Sequence, residues 1–250
     1  MNNLKKLKKH YNEKGWVVLK DFFSIDEINL VNQIIKDFLK KKIKTSNKNS
    51  RSINFIDNKK SIENVNSFHD LAQCEEIKKF ANKKNVLNAA KVFLNSVPEF
   101  RYCELFAKPA KNGLPSPDHQ DNYYWGVKGS NALTFWVALD NSNKTNGCVH
   151  YYDGSHKYGI LEHEASFAKG SSQKVSDIHF LKKFNISYPE LMPGDAIIHH
   201  SLVVHGSSPN KSKFSRKGWT IQFKDKNASY DLEQIKTYEK SLNNQIQLRS

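Results

Sequence analysis

His119, Gln120 and Asp121 are consecutive, His205 follows 84 residues after Asp121, and Arg216 comes 11 residues later. Two imidazoles and one carboxylate can occupy one face of a six-coordinate ferrous ion and leave the opposite face to a co-substrate and O₂. Residues two apart in an extended segment point the same way, so a strand would let His119 and Asp121 reach one metal while Gln120 faces away. The pattern is that of a candidate non-haem iron oxygenase site. A lone His-x-Asp is weak evidence, because chance matches are common, and His205 and Arg216 add the weight. His205 lies in Val203-Val204-His205-Gly206-Ser207, just after an apolar strand that begins at the Pro193-Gly194-Asp195 turn. Arg216 comes one strand crossing later, where a fixed guanidinium can take the far carboxylate of a dicarboxylate co-substrate through a bidentate pair.

Other residues compete for places around this centre. His199 and His200 end the same strand, but only His205 is followed by Gly-Ser and the step to Arg216. His200 is expected near the ligands or facing substrate, and His199 packed or in solvent. His150, His156 and His163 fall in a loop-rich stretch and read as structural or surface histidines, with the pocket mouth as the alternative for His150 and His156. Asn122, Tyr123, Tyr124 and Trp125 directly follow the metal motif and are expected on its substrate side. Aromatic barrel core is the competing reading for Tyr124 and Trp125.

The elements that must position these residues fall into two regimes. Trp16-Val17-Val18-Leu19 reads as a short buried strand. Ser24 and Glu27 then have the spacing of a capping box, and Phe23 with Ile28 that of a hydrophobic staple. Ile28, Val31, Ile35 and Phe38 or Leu39 continue at helical spacing, with lysines toward the C-terminal end where cations suit the dipole. Residues 42–66 are rich in Asn, Lys and Ser and read as a lid-like stretch. A second helical region is predicted over Glu75 to Asn95. From residue 100 short runs with strand-like alternation dominate, at 101–107, 132–139, 147–152, 195–200 and 217–223. The chain is therefore expected to be mainly β with N-terminal helices. The fold class is a double-stranded β-helix, a jelly-roll, cupin-like barrel whose mouth can hold a metal. One domain over residues 1–250 is expected: a largely helical flank to 99, the barrel core over 100–231 and a C-terminal helical tail over 232–250.

Composition limits the partners. The net charge of +14 comes from 39 basic residues, of which only Arg51, Arg101, Arg216 and Arg249 are arginines. Arginines are the usual bidentate readers of phosphate and bases, so dispersed lysine speaks weakly for a nucleic-acid partner. A solvated surface is the plain reading, and attraction of anionic substrates the sharper one. Cys74, Cys103 and Cys148 are odd in number and form no C-x-x-C pair, which fits a reducing compartment. With no apolar leader at the N-terminus and no run of 18 apolar residues, no membrane partner and a cytoplasmic location are expected.

The blocks His119-Gln120-Asp121, Asn146-Gly147-Cys148-Val149 with Gly154-Ser155-His156-Lys157, Pro193-Gly194-Asp195, and His205-Gly206-Ser207 with Asn210-Lys211-Ser212 and Arg216 together resemble the phytanoyl-CoA dioxygenase-like family of Fe(II)/2-oxoglutarate oxygenases. The resemblance runs from Tyr11 to about Asp231. It implies His119, Asp121 and His205 as iron ligands, Arg216 and Ser207 on the distal carboxylate of 2-oxoglutarate, and Trp136 against that co-substrate. It also implies an upstream lysine for 2-oxoglutarate. The segment from Ile62 to Phe68 offers Glu63 and Asn64, with Lys59 and Lys60 only nearby. Related halogenases carry a small residue in place of the carboxylate ligand, so Asp121 implies hydroxylation, with 2-oxoglutarate and O₂ converted to succinate, CO₂ and a hydroxylated product. The cofactor set implied is Fe(II), 2-oxoglutarate and O₂, acting on a small-molecule substrate. Two rival readings remain: a cupin-like metal-binding protein without oxygenase activity, against which Arg216 argues, and a nucleic-acid oxidative demethylase, suggested only by the charge.

Overall fold

A computed structural model describes residues 2–45 and 52–248. In chain order the elements are α1 (Asn2–Lys14), β1 (Trp16–Leu19), α2 (Ile25–Thr45), β2 (Ile53–Phe55), β3 (Val65–Phe68), α3 (Glu75–Ala81), α4 (Lys84–Leu94) and β4 (Pro98–Lys108). There follow β5 (Ser116–His119), α5 (Asp121–Trp125), β6 (Ala132–Ala138), β7 (Val149–Tyr152), β8 (His163–Ala168), β9 (Ser171–Val175) and α6 (Ile178–Leu181). The last are β10 (Ile186–Ser187), β11 (Ala196–His200), β12 (His205–Ser207), β13 (Arg216–Asp225) and α7 (Leu232–Gln247).

A seven-stranded sheet in the order β1-β11-β6-β13-β4-β3-β2 accompanies a four-stranded sheet, β10-β7-β12-β5, and the hairpin β8-β9. The result is a double-stranded β-helix. Period-two alternation divides its large sheet into two faces. Leu133, Phe135 and Val137 of β6 and Trp219, Ile221 and Phe223 of β13 join the core shared with the N-terminal helices. The alternate residues Thr134, Trp136, Arg216, Thr220 and Gln222 line the interior cavity. One face thus builds stability while the other is left free to carry chemistry.

The start of α2 follows its sequence signals. Ser24 N donates to Glu27 Oε2 at 2.8 Å and Glu27 N to Ser24 Oγ at 3.2 Å, a closed capping box. Ile28, Val31, Ile35 and Leu39 are its buried stripe. Two expectations change. The helix predicted over Glu75 to Asn95 is two helices, because Asn82 donates its side-chain amide to Lys78 O at 2.8 Å and Lys83 turns extended. Within the lid-like 42–66 stretch, residues 46–51 lie outside the described residues, but β2 and β3 extend the large sheet beside β4. Burial of Ile53 and Val65 in the main core explains why these strands dock.

Candidate active site

Antiparallel pairing assembles the metal-binding group. His119 closes β5 and His205 opens β12, and the two are direct cross-strand partners with ring centroids 4.4 Å apart. Asp121 is the first residue of α5 rather than part of a strand. Gln120 between them stays extended, at φ −114 and ψ 130, so the two-residue rule still sends both neighbours to one side.

His119 Nε2, Asp121 Oδ1 and His205 Nε2 converge. Each histidine nitrogen lies near the same carboxylate oxygen, at 3.8 and 3.7 Å, and one donor atom from each residue falls within 4.8 Å of the others. The remaining ring nitrogens settle the tautomers. His119 Nδ1 donates to Pro117 O at 2.7 Å and His205 Nδ1 to Val203 O at 3.0 Å, which leaves both Nε2 lone pairs for a metal. Burial, with His119 and His199 alongside, holds His205 well below the ordinary histidine range and so neutral. Burial alone would raise the Asp121 carboxyl, but the His205 ring and the hydrogen bond from His199 outweigh it and keep the group ionised. Two imidazoles and one carboxylate on one face fit a divalent iron.

The outer oxygen of Asp121 is fixed by residues with no such assignment from sequence. Thr134 Oγ donates to Oδ2 at 2.7 Å and His199 Nε2 at 3.0 Å, and Tyr151 OH lies 3.0 Å from His199 Nδ1. His199 was expected packed or in solvent; it is packed, but against the ligand carboxylate. Strand alternation puts Thr134 on the face of Trp136 and His199 on that of Ile197, but it does not reveal that either side chain meets Asp121. Gln120, which sequence left without a role, is fully buried. Its amide donates to Gly159 O and Leu202 O and accepts from Leu161 N, clamping the two loops beside the triad.

Arg216 and Ser207 lie buried on the same cavity wall. Arg216 Nε and Nη2 both donate to Gly147 O, at 3.1 and 2.8 Å, and Nη1 has no partner among the described residues. Its guanidinium sits 5.1 Å from the Trp136 ring. Gly218 makes this packing feasible, because a Cβ there would fall 2.0 Å from the Trp136 indole. Burial pushes the Arg216 pKa down to about 10, still charged at neutral pH. The cross-strand partner of Arg216 is Lys108, 3% exposed, whose Nζ donates to Leu114 O. Burial and the Arg216 charge push the Lys108 pKa down to about 6. No lysine lines the cavity among the described residues, and Asn54, His69 and Ser52 stand where the upstream strands reach it.

Tyr124 and Trp125 both border the cavity and also pack in a small apolar cluster with Val127 and Ala132. Three other expectations are corrected. Asn122 is fully buried and holds the turn after α5 through Val127 and Ser130, because its amide supplies donors and an acceptor that the backbone lacks there. His150 is tied to Asp118 at 2.7 Å and packs on Tyr188, outside the cavity. His200 points to the opposite face of β11 from His199, against His156 and Tyr11, where burial pushes its pKa down to about 3. His156 likewise lies by α1, with Nε2 3.2 Å from Asn12 O.

The cavity occupies about 1160 Å³ and runs from Arg216 past the metal-binding group to α7. A barrel of this kind, with two histidines and a carboxylate at its mouth and an arginine deeper in, defines the 2-oxoglutarate-dependent oxygenase class. The family model for phytanoyl-CoA dioxygenase (PhyH) matches residues 11–218, and the chain belongs to that family. It is 26% identical over 232 residues to the peroxisomal phytanoyl-CoA dioxygenase of Bos taurus, covering 89% of this chain and 69% of that one. It is 22% identical over 221 residues to a probable alpha-ketoglutarate-dependent hypophosphite dioxygenase of Stutzerimonas stutzeri, covering 84% and 74%. The solved structure of EctD from S. alaskensis with 2-oxoglutarate and 5-hydroxyectoine superimposes with a TM-score of 0.74 at 20% identity, over 90% of this chain and 77% of that one. That likeness supports the fold.

Proposed function

We propose that the protein is an Fe(II)- and 2-oxoglutarate-dependent dioxygenase that hydroxylates a small or medium organic substrate, releasing succinate and CO₂. The observation that carries this reading is the pairing of His119, Asp121 and His205, their lone pairs turned to one point, with a buried Arg216 whose Nη1 lacks a protein partner. His119, Asp121 and His205 would hold the iron, which together with 2-oxoglutarate supplies O₂ activation. Arg216 and Ser207 would hold the far carboxylate of 2-oxoglutarate and Trp136 would flank it, while Tyr124 and Trp125 face the substrate. Asp121 occupies the place a halide would need, which favours hydroxyl transfer.

A metal-binding protein without oxygenase activity would have no use for a buried, half-satisfied guanidinium beside the metal. A small molecule suits the interior cavity better than nucleic acid does, and among the described residues no helix is long and apolar enough to cross a membrane. We place the protein in the cytoplasm, supported by three buried, unpaired cysteines, and read residues 1–250 as one catalytic domain. The test is O₂-dependent succinate formation from 2-oxoglutarate with Fe(II), lost in Asp121→Ala. Succinate at the same rate from that variant would refute the assignment.

A further inference from the structure

The cavity wall carries a second arginine, far from Arg216. Arg216 and Gln222 are six residues apart on β13, about 20 Å at the rise of a strand, well beyond the span of a five-carbon diacid. At the Gln222 end the pairing of β13 with β4 shifts register, with Gln222 opposite Tyr102 and Phe223 opposite Phe100, so that Arg101 is the extra residue of a bulge. A bulge re-aims a side chain. Here it brings both Arg101 and Tyr102 to the cavity lining.

The guanidinium of Arg101 is held among Gln222, Trp125 and Tyr230, and with Nε closed off it is the Nη end that meets the cavity. Nη1 donates to Gln222 Oε1 at 2.6 Å, and the ring of Trp125 lies 4.6 Å beneath the guanidinium. Gln222 in turn donates to Glu104 Oε2 at 2.6 Å, and Glu104 Oε1 meets His69 Nδ1 at 2.6 Å. Glu104 is therefore occupied by other partners, and no ion pair involves Arg101 among the described residues. Arg101 Nε is buried without any hydrogen-bond partner. The Nη end still has hydrogens beyond the one given to Gln222, and two guanidinium nitrogens can meet one carboxylate. Across from it α7 contributes the apolar Leu232, Ile235, Leu242 and Ile246, while Asp70, which accepts from Tyr102, shares the polar side with Glu104 and Tyr230.

We propose that Arg101 is the substrate's anchor and that the substrate is a carboxylic acid with an apolar body lying between Trp125 and α7. The assignment rests on the oxygenase reading of the same cavity, with 2-oxoglutarate at the Arg216 end. Anchoring the head group on Arg101 directs the carbons beyond it toward His119 and His205.

The experiment is calorimetric titration of the anaerobic, Mn(II)- and 2-oxoglutarate-loaded protein with matched probes. The probes are 4-phenylbutyrate and straight-chain C6–C10 carboxylates, each against its alcohol. Each acid that binds is expected to bind about tenfold or more tightly than its alcohol. Arg101→Gln should abolish that preference, while binding of the alcohols and of 2-oxoglutarate stays unchanged. Arg101→Lys should keep part of the preference. The proposal is overturned if no acid of the series outbinds its alcohol, or if Arg101→Gln retains the preference. Should 2-oxoglutarate itself fail to bind the Mn(II) protein, the oxygenase reading fails separately, and the acid–alcohol comparison still decides the part assigned to Arg101.

Discussion

Replacing Arg216 by Gln should weaken 2-oxoglutarate binding without unfolding the protein, and the two effects can be separated by melting. The guanidinium is 2% exposed, and its only acceptor among the described residues is Gly147 O. A buried charge with so little compensation contributes little to the ligand-free fold, and a Gln amide can keep one bond to Gly147. Loss of the charge-assisted bonds to a carboxylate should cost about 2–3 kcal/mol, or roughly 30- to 150-fold in affinity. At a 2-oxoglutarate concentration about 100 times the wild-type Kd, binding stabilises the wild type by about 2.7 kcal/mol, whereas a variant weakened ~100-fold gains only about 0.4. For a chain of this size that corresponds to a rise in Tm of about 5–11 °C against about 1 °C. The assay is a thermal melt with Mn(II), with and without 2-oxoglutarate. A wild-type shift in the variant would refute the clamp, and a ligand-free melt many degrees lower would show that Arg216 is structural instead.

Two further outcomes follow from neighbouring residues. His199→Phe removes one of the two donors on Asp121 Oδ2 and leaves Thr134, so metal affinity should fall about 10- to 100-fold; an unchanged Mn(II) titration would show that the contact does not tune the ligand. Lys108 has a folded-state pKa of about 6, below its ordinary 10.5. Between those values the unfolded chain holds a proton that the fold has released, so stability should rise with pH from about 6 toward 10, by up to about 1.4 kcal/mol per pH unit from this group. Urea unfolding at pH 7 and pH 9 should show that rise in the wild type and lose it in Lys108→Met; the same slope in both would contradict it.

The barrel was legible because its strands alternate. The run 132–139 with Leu133, Phe135 and Val137 on one face and Thr134 and Trp136 on the other reads as a half-buried strand without any fold in view. The spacing of His119 and Asp121 carried the convergence of their side chains even though a helix begins between them, because only the extended state of Gln120 matters. Long-range relations were not legible. No local signal says that His205 pairs with His119, that His199 reaches across to Asp121, or that one extra residue in β4 turns Arg101 inward. Asn122 and His200 misled for the same reason: nearness in sequence to a ligand does not fix which face of the element a side chain takes. β2 and β3 were missed because three- and four-residue strands in a polar stretch have too few positions for alternation to show.

One ferrous ion and one 2-oxoglutarate are expected to bind together at His119, Asp121 and His205. Anaerobic titration of the protein with Fe(II) and 2-oxoglutarate measures it most directly. A weak visible charge-transfer band saturating at one iron per chain is predicted for the wild type, and no band for His205→Ala. A wild type without the band, or a His205→Ala variant that keeps it, would contradict the account.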